Sequence, residues 1–144
     1  HFVVISGSEN PNNSNLGDWI NKYGKGRVAL HIDPENVSVL FSCCDLAIMA
    51  GGSSIYEACV HGIPMVVISI AENQVLHSQA WQQLGCLTYL GRISQVHSSS
   101  LSNSVHAISI NESVRRKMSI ACSKAVTGKG AKLVAALLSH EHIL

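Results

Sequence analysis

The sequence predicts an α/β fold: a parallel sheet with helices on both faces, in one domain spanning residues 1–144. Three observations predict it. Short apolar runs alternate with helical patterns along the chain. Most of those runs are near-continuous Val, Ile and Leu, as strands buried on both faces require. The composition, 47% hydrophobic and 13% charged over 144 residues, stocks one core rather than a disordered chain.

Each element has its own warrant. FVVI (2–5) and RVALHI (27–32) read as strands, with helical spacing between them at Leu16, Trp19, Ile20 and Tyr23. Asp33-Pro34 marks a turn, and a short helix follows over 37–44. LAIM (46–49) is a strand. The helix over 53–61 stops at Gly62, with Pro64 beyond it. MVVISI (65–70) is a strand, 73–84 a helix closed by Gly85, and CLTYL (86–90) a last strand. The serine-rich stretch 94–104 reads as a loop or linker. Asn111 is a good N-cap for an amphipathic helix over 111–126. Thr127 to Gly130 is a turn, and 131–139 a final helix.

The bulk numbers narrow the function. A formal net charge of +1 implies no basic face, which disfavours nucleic acid as a partner. The longest apolar run, MVVISIA, is far too short to span a bilayer. No secretory signal is visible, and the expected location is cytoplasmic. The first residue is His1, so the expectation is a piece of something longer. The five cysteines (43, 44, 59, 86 and 122) form no CxxC pair, and reduced thiols buried as small hydrophobes are expected, not a metal site. Asn12, Asn36 and Asn111 open Asn-x-Ser sequons, read as coincidence without a secretory context.

In an open parallel sheet, ligands bind beyond the carboxyl ends of the strands. SGSENPNN (6–13), AGGSS (50–54) and AENQ (71–74) all follow strands and should line one rim. In AGGSSIYE, Gly51 and Gly52 let a ligand approach the backbone. Ser53 and Ser54 open a helix whose first amides favour an anion such as phosphate. Glu57 sits one turn in, where a carboxylate accepts two hydrogen bonds from a ribose diol. Phosphate beside ribose suggests a nucleotide. A serine-capped helix with a glutamate at its positive end accounts for the same residues equally well. Ser6, Gly7 and Ser8 offer amides and hydroxyls to a phosphate, but an ordinary Asn-Pro turn suffices there. Asn73 and Gln74 suit sugar hydroxyls, and helix capping suffices for them also.

Weaker candidates fall away. TGKGAK (127–132) lacks the upstream glycine and the Ser/Thr of a phosphate loop. The eight histidines form no HExxH, and His77, one turn after Asn73, is not read as a catalytic base.

Taken together, DLAIMAGGSSIYEACVHGIPMVVISIAENQ resembles the signature of the C-terminal domain of a GT-B-type nucleotide-sugar enzyme. It is similar to the PseG/SpsG group, the UDP-sugar hydrolase of pseudaminic acid biosynthesis and its spore-coat polysaccharide relatives, and more broadly to the MurG glycosyltransferase. Asp45, Gly51, Gly52, Ser53, Ser54, Glu57, Gly62, Pro64, Glu72, Asn73 and Gln74 stand at the matching positions. The tail GKGAKLVAALL is similar to the group's closing helix. The resemblance implies a Rossmann-like domain holding the UDP part of a donor. Under it, Gly51 to Ser54 meet the diphosphate, Glu57 the ribose, backbone near Ile32 the uracil, and Asn73-Gln74 the sugar or phosphate. It implies no cofactor and no metal. It also implies an N-terminal Rossmann-like partner domain carrying the catalytic histidine, so this chain alone binds without turnover. The first loop departs from the group's pattern, with Ser6 for a glycine and Glu9-Asn10 where an aspartate is usual. A UDP-sugar hydrolase half is the expected function. A glycosyltransferase half and a non-catalytic nucleotide-sugar-binding module are the alternatives.

Overall fold

A computed structural model describes residues 1–140, with no account of the His140 side chain. His142 therefore lies outside the described residues. The chain divides into two compact units, the first His1–Cys43 and the second beginning at Cys44.

The first unit pairs β1 (Phe2–Ser6) with β2 (Val28–Ile32) in parallel, Phe2 opposite Val28 and Ser6 opposite Ile32. Parallel strands need a crossover, and α1 (Asn13–Tyr23) supplies it. A short α2 (Val37–Ser42) follows, capped by the Asn36 side chain on the Val39 amide at 3.3 Å.

The second unit is a three-stranded parallel sheet in the order β3 (Ala47–Ala50), β4 (Met65–Ser69), β5 (Leu87–Arg92). The crossovers are α3 (Ser54–Val60) and α4 (Asn73–Gln83). All five residues of β4 are buried. Successive strand side chains point to opposite faces, so β4 is covered on both. The core gathers Ile55, Cys59, Met65, Val67 and Cys86 and continues through Val66, Ile108 and Met118. The architecture is α/β, as the runs of Val and Ile predict, and Rossmann-like, as the resemblance implies. Its ladders form a two-stranded sheet in the first unit and a three-stranded sheet in the second.

One expectation fails. Residues 94–104 are not a linker: a 3-10 turn at Ile93–Gln95 leads into α5 (Ser98–Ser109). Serine is a mediocre helix former. Here Leu101, Val105 and Ile108 recur at helical spacing and pack on Val66 and Met118. Tertiary burial overrides the local preference. Asn111 does cap the next helix, α6 (Glu112–Ala125), accepting from the Val114 amide at 3.1 Å. Two of the three sequon asparagines, Asn36 and Asn111, are thus helix caps. After a turn, α7 (Gly130–His140) closes the description.

Candidate functional site

In the second unit the strand ends present AGGSS and AENQ side by side. Gly51 follows β3, and its amide donates to the Ile68 carbonyl of β4 at 3.1 Å. The two glycines differ. Gly51 is buried, and a Cβ there would collide with the Ser78 hydroxyl and lie 3.2 Å from Gln74 Cβ. At Gly52 a Cβ would meet only the Gln74 amide nitrogen, at 3.9 Å. Gly51 is therefore needed for packing, whereas Gly52 keeps an open approach to the backbone.

The serines behave differently from simple caps. Ser53 occupies the N-cap position of α3 with helical φ and ψ (−64°, −23°) and makes no side-chain cap hydrogen bond. Ser53 and Ser54 are both exposed. Glu57, in the first turn, is exposed. The capped-helix account of AGGSSIYE thus lacks its hydrogen bond. The loop is held from behind instead. Trp81 Nε1–H donates to His77 Nε2 at 2.9 Å. That leaves the ring proton on Nδ1, which donates to the Gly51 carbonyl at 3.1 Å. Tyr56 packs edge-on against Trp81 at 5.2 Å between ring centroids. Both ring nitrogens of His77 are engaged, which suits a brace and not a base. The i, i+4 spacing of His77 and Trp81 on α4 was the available sequence signal.

AENQ opens α4. Glu72 stands at the N-cap with helical φ and ψ and no side-chain cap bond, and Asn73 is exposed. Gln74 is partly committed: its Oε1 accepts from the Ile70 amide at 2.9 Å and ties the loop to its own helix. Only its amide nitrogen faces the Gly52 side.

In the first unit, Ser6, Gly7, Ser8 and Ile32 lie together at the carboxyl ends of β1 and β2. Ser6 is buried, its hydroxyl accepts from Asn10 Nδ2 at 2.9 Å, and its carbonyl accepts from the Asp33 amide at 2.9 Å. Asn13 Nδ2 donates to the carbonyls of Gly7 and Ser8. Ser6 therefore shapes its own loop, while Gly7 and Ser8 are exposed.

Two features lie off the rim. The larger hollow, about 440 Å³, sits at the opposite edge, where Asp45 and Pro64 lead into β3 and β4. Ligands of parallel sheets bind at the other end, and Arg115 in this hollow is spent on the carbonyls of Ile108 and Ser109. The second feature is a cluster of metal-ligating type. Cys59, Cys86 and Cys122 are all buried, with their sulfurs within 4.8 Å of one another. Burial pushes the Cys86 thiol up to about 11. Cys122 is raised further, by its hydrogen bond with Cys59 and by burial. It also donates to the carbonyls of Ile63 and Cys86 at 3.6 and 3.5 Å. Burial favours the protonated thiols at neutral pH, and a metal bound here would have to displace those protons.

Comparison with known proteins finds two relatives. No family model matches the chain. The chain is 27% identical over 138 residues to the spore coat polysaccharide biosynthesis protein SpsG of Bacillus subtilis, across 96% of this chain and 40% of that protein. Over 54 residues it is 33% identical to a Helicobacter pylori protein, covering 38% of this chain and 10% of that protein. That protein is described as a pseudaminic acid cytidylyltransferase and UDP-2,4-diacetamido-2,4,6-trideoxy-beta-L-altropyranose hydrolase. The chain thus spans two fifths of the one relative and a tenth of the other. No helix among the described residues is long and apolar enough to cross a membrane. The homology is weak but runs along nearly the whole chain, and at the level of family it supports the PseG/SpsG group.

Proposed function

We propose that this chain is the UDP-sugar-binding half of a PseG-like nucleotide-sugar hydrolase serving surface polysaccharide or pseudaminic acid biosynthesis. One observation carries the reading: the AGGSS loop offers two hydroxyls not spent on capping, beside an open Gly52 and an exposed Glu57. The names of the two relatives supply the biosynthetic context. Gly52, Ser53 and Ser54 receive the diphosphate and Glu57 the ribose diol. Asn73 and the free amide nitrogen of Gln74 face the sugar. Gly51 positions the loop. Taken by itself, the first unit offers Ser6, Gly7, Ser8 and the backbone near Ile32 as candidates for base or phosphate contacts.

In the reaction, a water oxygen bonds to the anomeric carbon as the bond to the phosphate oxygen breaks, and UDP leaves with the electron pair. The rim's share is to hold the negative charge that grows on the leaving diphosphate. In this reading the group that takes the proton from water belongs to a Rossmann-like domain preceding this one. No cofactor or metal is assigned.

Calorimetric titration with UDP, with CMP and ADP as controls, tests the reading. Selective UDP binding is expected. Glu57→Ala should weaken it by about 1–3 kcal/mol, the cost of leaving hydrogen-bonding groups unpaired. Equal affinity of the two proteins for UDP would remove Glu57 from the ribose site.

A further inference from the structure

The strand ends of β4 and β5 carry a feature that the nucleotide reading does not use. Val67 pairs with Tyr89, but Ser69 pairs with Arg92, so β5 holds one extra residue there. Gly91 lies within it at φ +107°, a conformation open to glycine and rare for other residues. Such bulges re-aim the side chains beside them. Arg92 reaches across to the AENQ loop, where its Nη2 meets Glu72 Oε1 at 2.5 Å. A pocket of about 160 Å³ lies here, lined by Ser69, Ile70, Glu72, Arg92 and Ser94 among others. Ser69 is 2% exposed, and its hydroxyl has no hydrogen-bond partner. Buried hydroxyls are nearly always paired, so one without a partner on a pocket wall calls for a ligand atom.

The electrostatics define that atom. Three groups favour negative charge: the Ser69 hydroxyl, the Arg92 guanidinium and the N-terminal end of the eleven-residue α4. One opposes it, the Glu72 carboxylate. The Glu72 and Arg92 side chains are 73% and 49% exposed, and ion pairs that exposed contribute little. Glu72 can therefore be displaced into water at small cost. The loop itself stays fixed, because Gln74 holds the Ile70 amide.

We propose that this pocket is an oxyanion subsite, in which Glu72 is the resident partner of Arg92 and an incoming carboxylate or phosphate oxygen replaces it, giving Ser69 its missing acceptor. Neighbouring strands lie roughly 4.8 Å apart, so the subsite is roughly 5–10 Å along the rim from the AGGSS loop. That is about the width of one sugar ring. The existence of the subsite rests on the pocket alone. Its assignment to the sugar side of the ligand rests on the nucleotide-sugar reading above.

The test is an NMR titration of the 144-residue chain with inorganic phosphate at constant ionic strength, read at the amides of Ile70 and Arg92. Saturable shifts are expected in the wild type. Arg92→Ala should abolish them, Ser69→Ala weaken the affinity several-fold, and Glu72→Gln tighten it several-fold by removing the competitor. No saturable shift, or equal shifts in Arg92→Ala, would overturn the subsite. Weaker binding in Glu72→Gln would overturn the displacement. A second arm compares UDP-glucuronate with UDP-glucose. A preference for the glucuronate that Arg92→Ala erases supports the sugar-side assignment. Equal binding of the two, with UDP itself sensitive to Arg92→Ala, moves the oxyanion to the diphosphate and overturns that assignment. Phosphate in the pocket without any UDP binding would sink the nucleotide reading and leave the subsite standing. UDP binding with no saturable phosphate shift at Ile70 or Arg92 would do the reverse.

Discussion

The two units of this chain are made of the same parts and bury them to different degrees. Each is a set of parallel strands joined by helical crossovers. In the first, β1 leaves Phe2 61% and Val3 44% exposed, and Trp19 and Tyr23 of α1 are more than half exposed. In the second, every residue of β4 is buried. A strand pair with one crossover helix cannot cover its own faces, whereas a middle strand flanked by ladders and helices is shielded on all sides. Apolar sequence supplies the capacity for burial, and the number of neighbouring elements decides whether it is realised. The loops reflect this. The first unit's loop is tied by its own asparagines, Asn10 and Asn13. The AGGSS loop is tied by residues of a packed helix, through His77 and Trp81.

The sharpest way to break the comparison is to remove the same kind of bulk from each unit. Ile55→Ala empties a fully buried position and should cost about 2–5 kcal/mol. Val3→Ala acts on a strand residue already 44% exposed and should cost less than about 1 kcal/mol. Urea unfolding of both variants measures the difference. Equal losses would mean that the first unit depends on its apolar surface as strongly as the second.

The contrast also marks what the sequence could tell. Strands were legible because unbroken Val and Ile runs have few alternatives, and MVVIS became the buried middle strand. Asn111 was legible as a cap because its chemistry is local. The helix over 98–109 was not, since its serines argue for a loop and its three core contacts, Leu101, Val105 and Ile108, are decided by distant partners. At the rim, the sequence located the loops but not the roles within them. It could not separate Gly51 from Gly52, because the difference lies in Ser78 and Gln74 on another element. It could not show Arg92 meeting Glu72, because a bulge sets that meeting. The convergence of Cys59 on α3, Cys86 in the turn before β5 and Cys122 on α6 leaves no spacing signature at all.

The two adjacent glycines sharpen the comparison at finer scale. Gly51→Ala forces a methyl against Ser78 and Gln74 and should destabilise the second unit by about 1–3 kcal/mol. Gly52→Ala has room, so stability should change by less than about 0.5 kcal/mol, while UDP affinity falls. Thermal unfolding and calorimetry separate the two effects. Loss of stability in both variants would remove Gly52 from any role in ligand approach. Trp81→Phe is a gentler probe of the brace. It deletes the donor to His77 Nε2 and should cost about 1 kcal/mol. If it costs nothing, water replaces the indole and the loop is not held from behind.

The last effect lies in the thiols and shows only at alkaline pH, and its sign follows from burial. Cys43 of the first unit is exposed, whereas Cys86 of the second is buried and its pKa is raised from 9.0 to about 11. A group that holds its proton more tightly when folded contributes stability in full below its unfolded pKa and loses it as pH rises through the folded one. The contribution of Cys86 should therefore be complete below pH 9 and fade between pH 9 and about 11. In Cys86→Ala the alkaline fall in stability over that window should be shallower than in the wild type. Cys43→Ala, which removes an exposed thiol of the first unit, is the control. Urea midpoints at pH 8, 9.5 and 10.5 read both variants against wild type. Identical alkaline slopes in all three proteins would mean that the cysteine cluster opens to water before it ionises, and that the second unit's core is less closed than the burial of β4 implies.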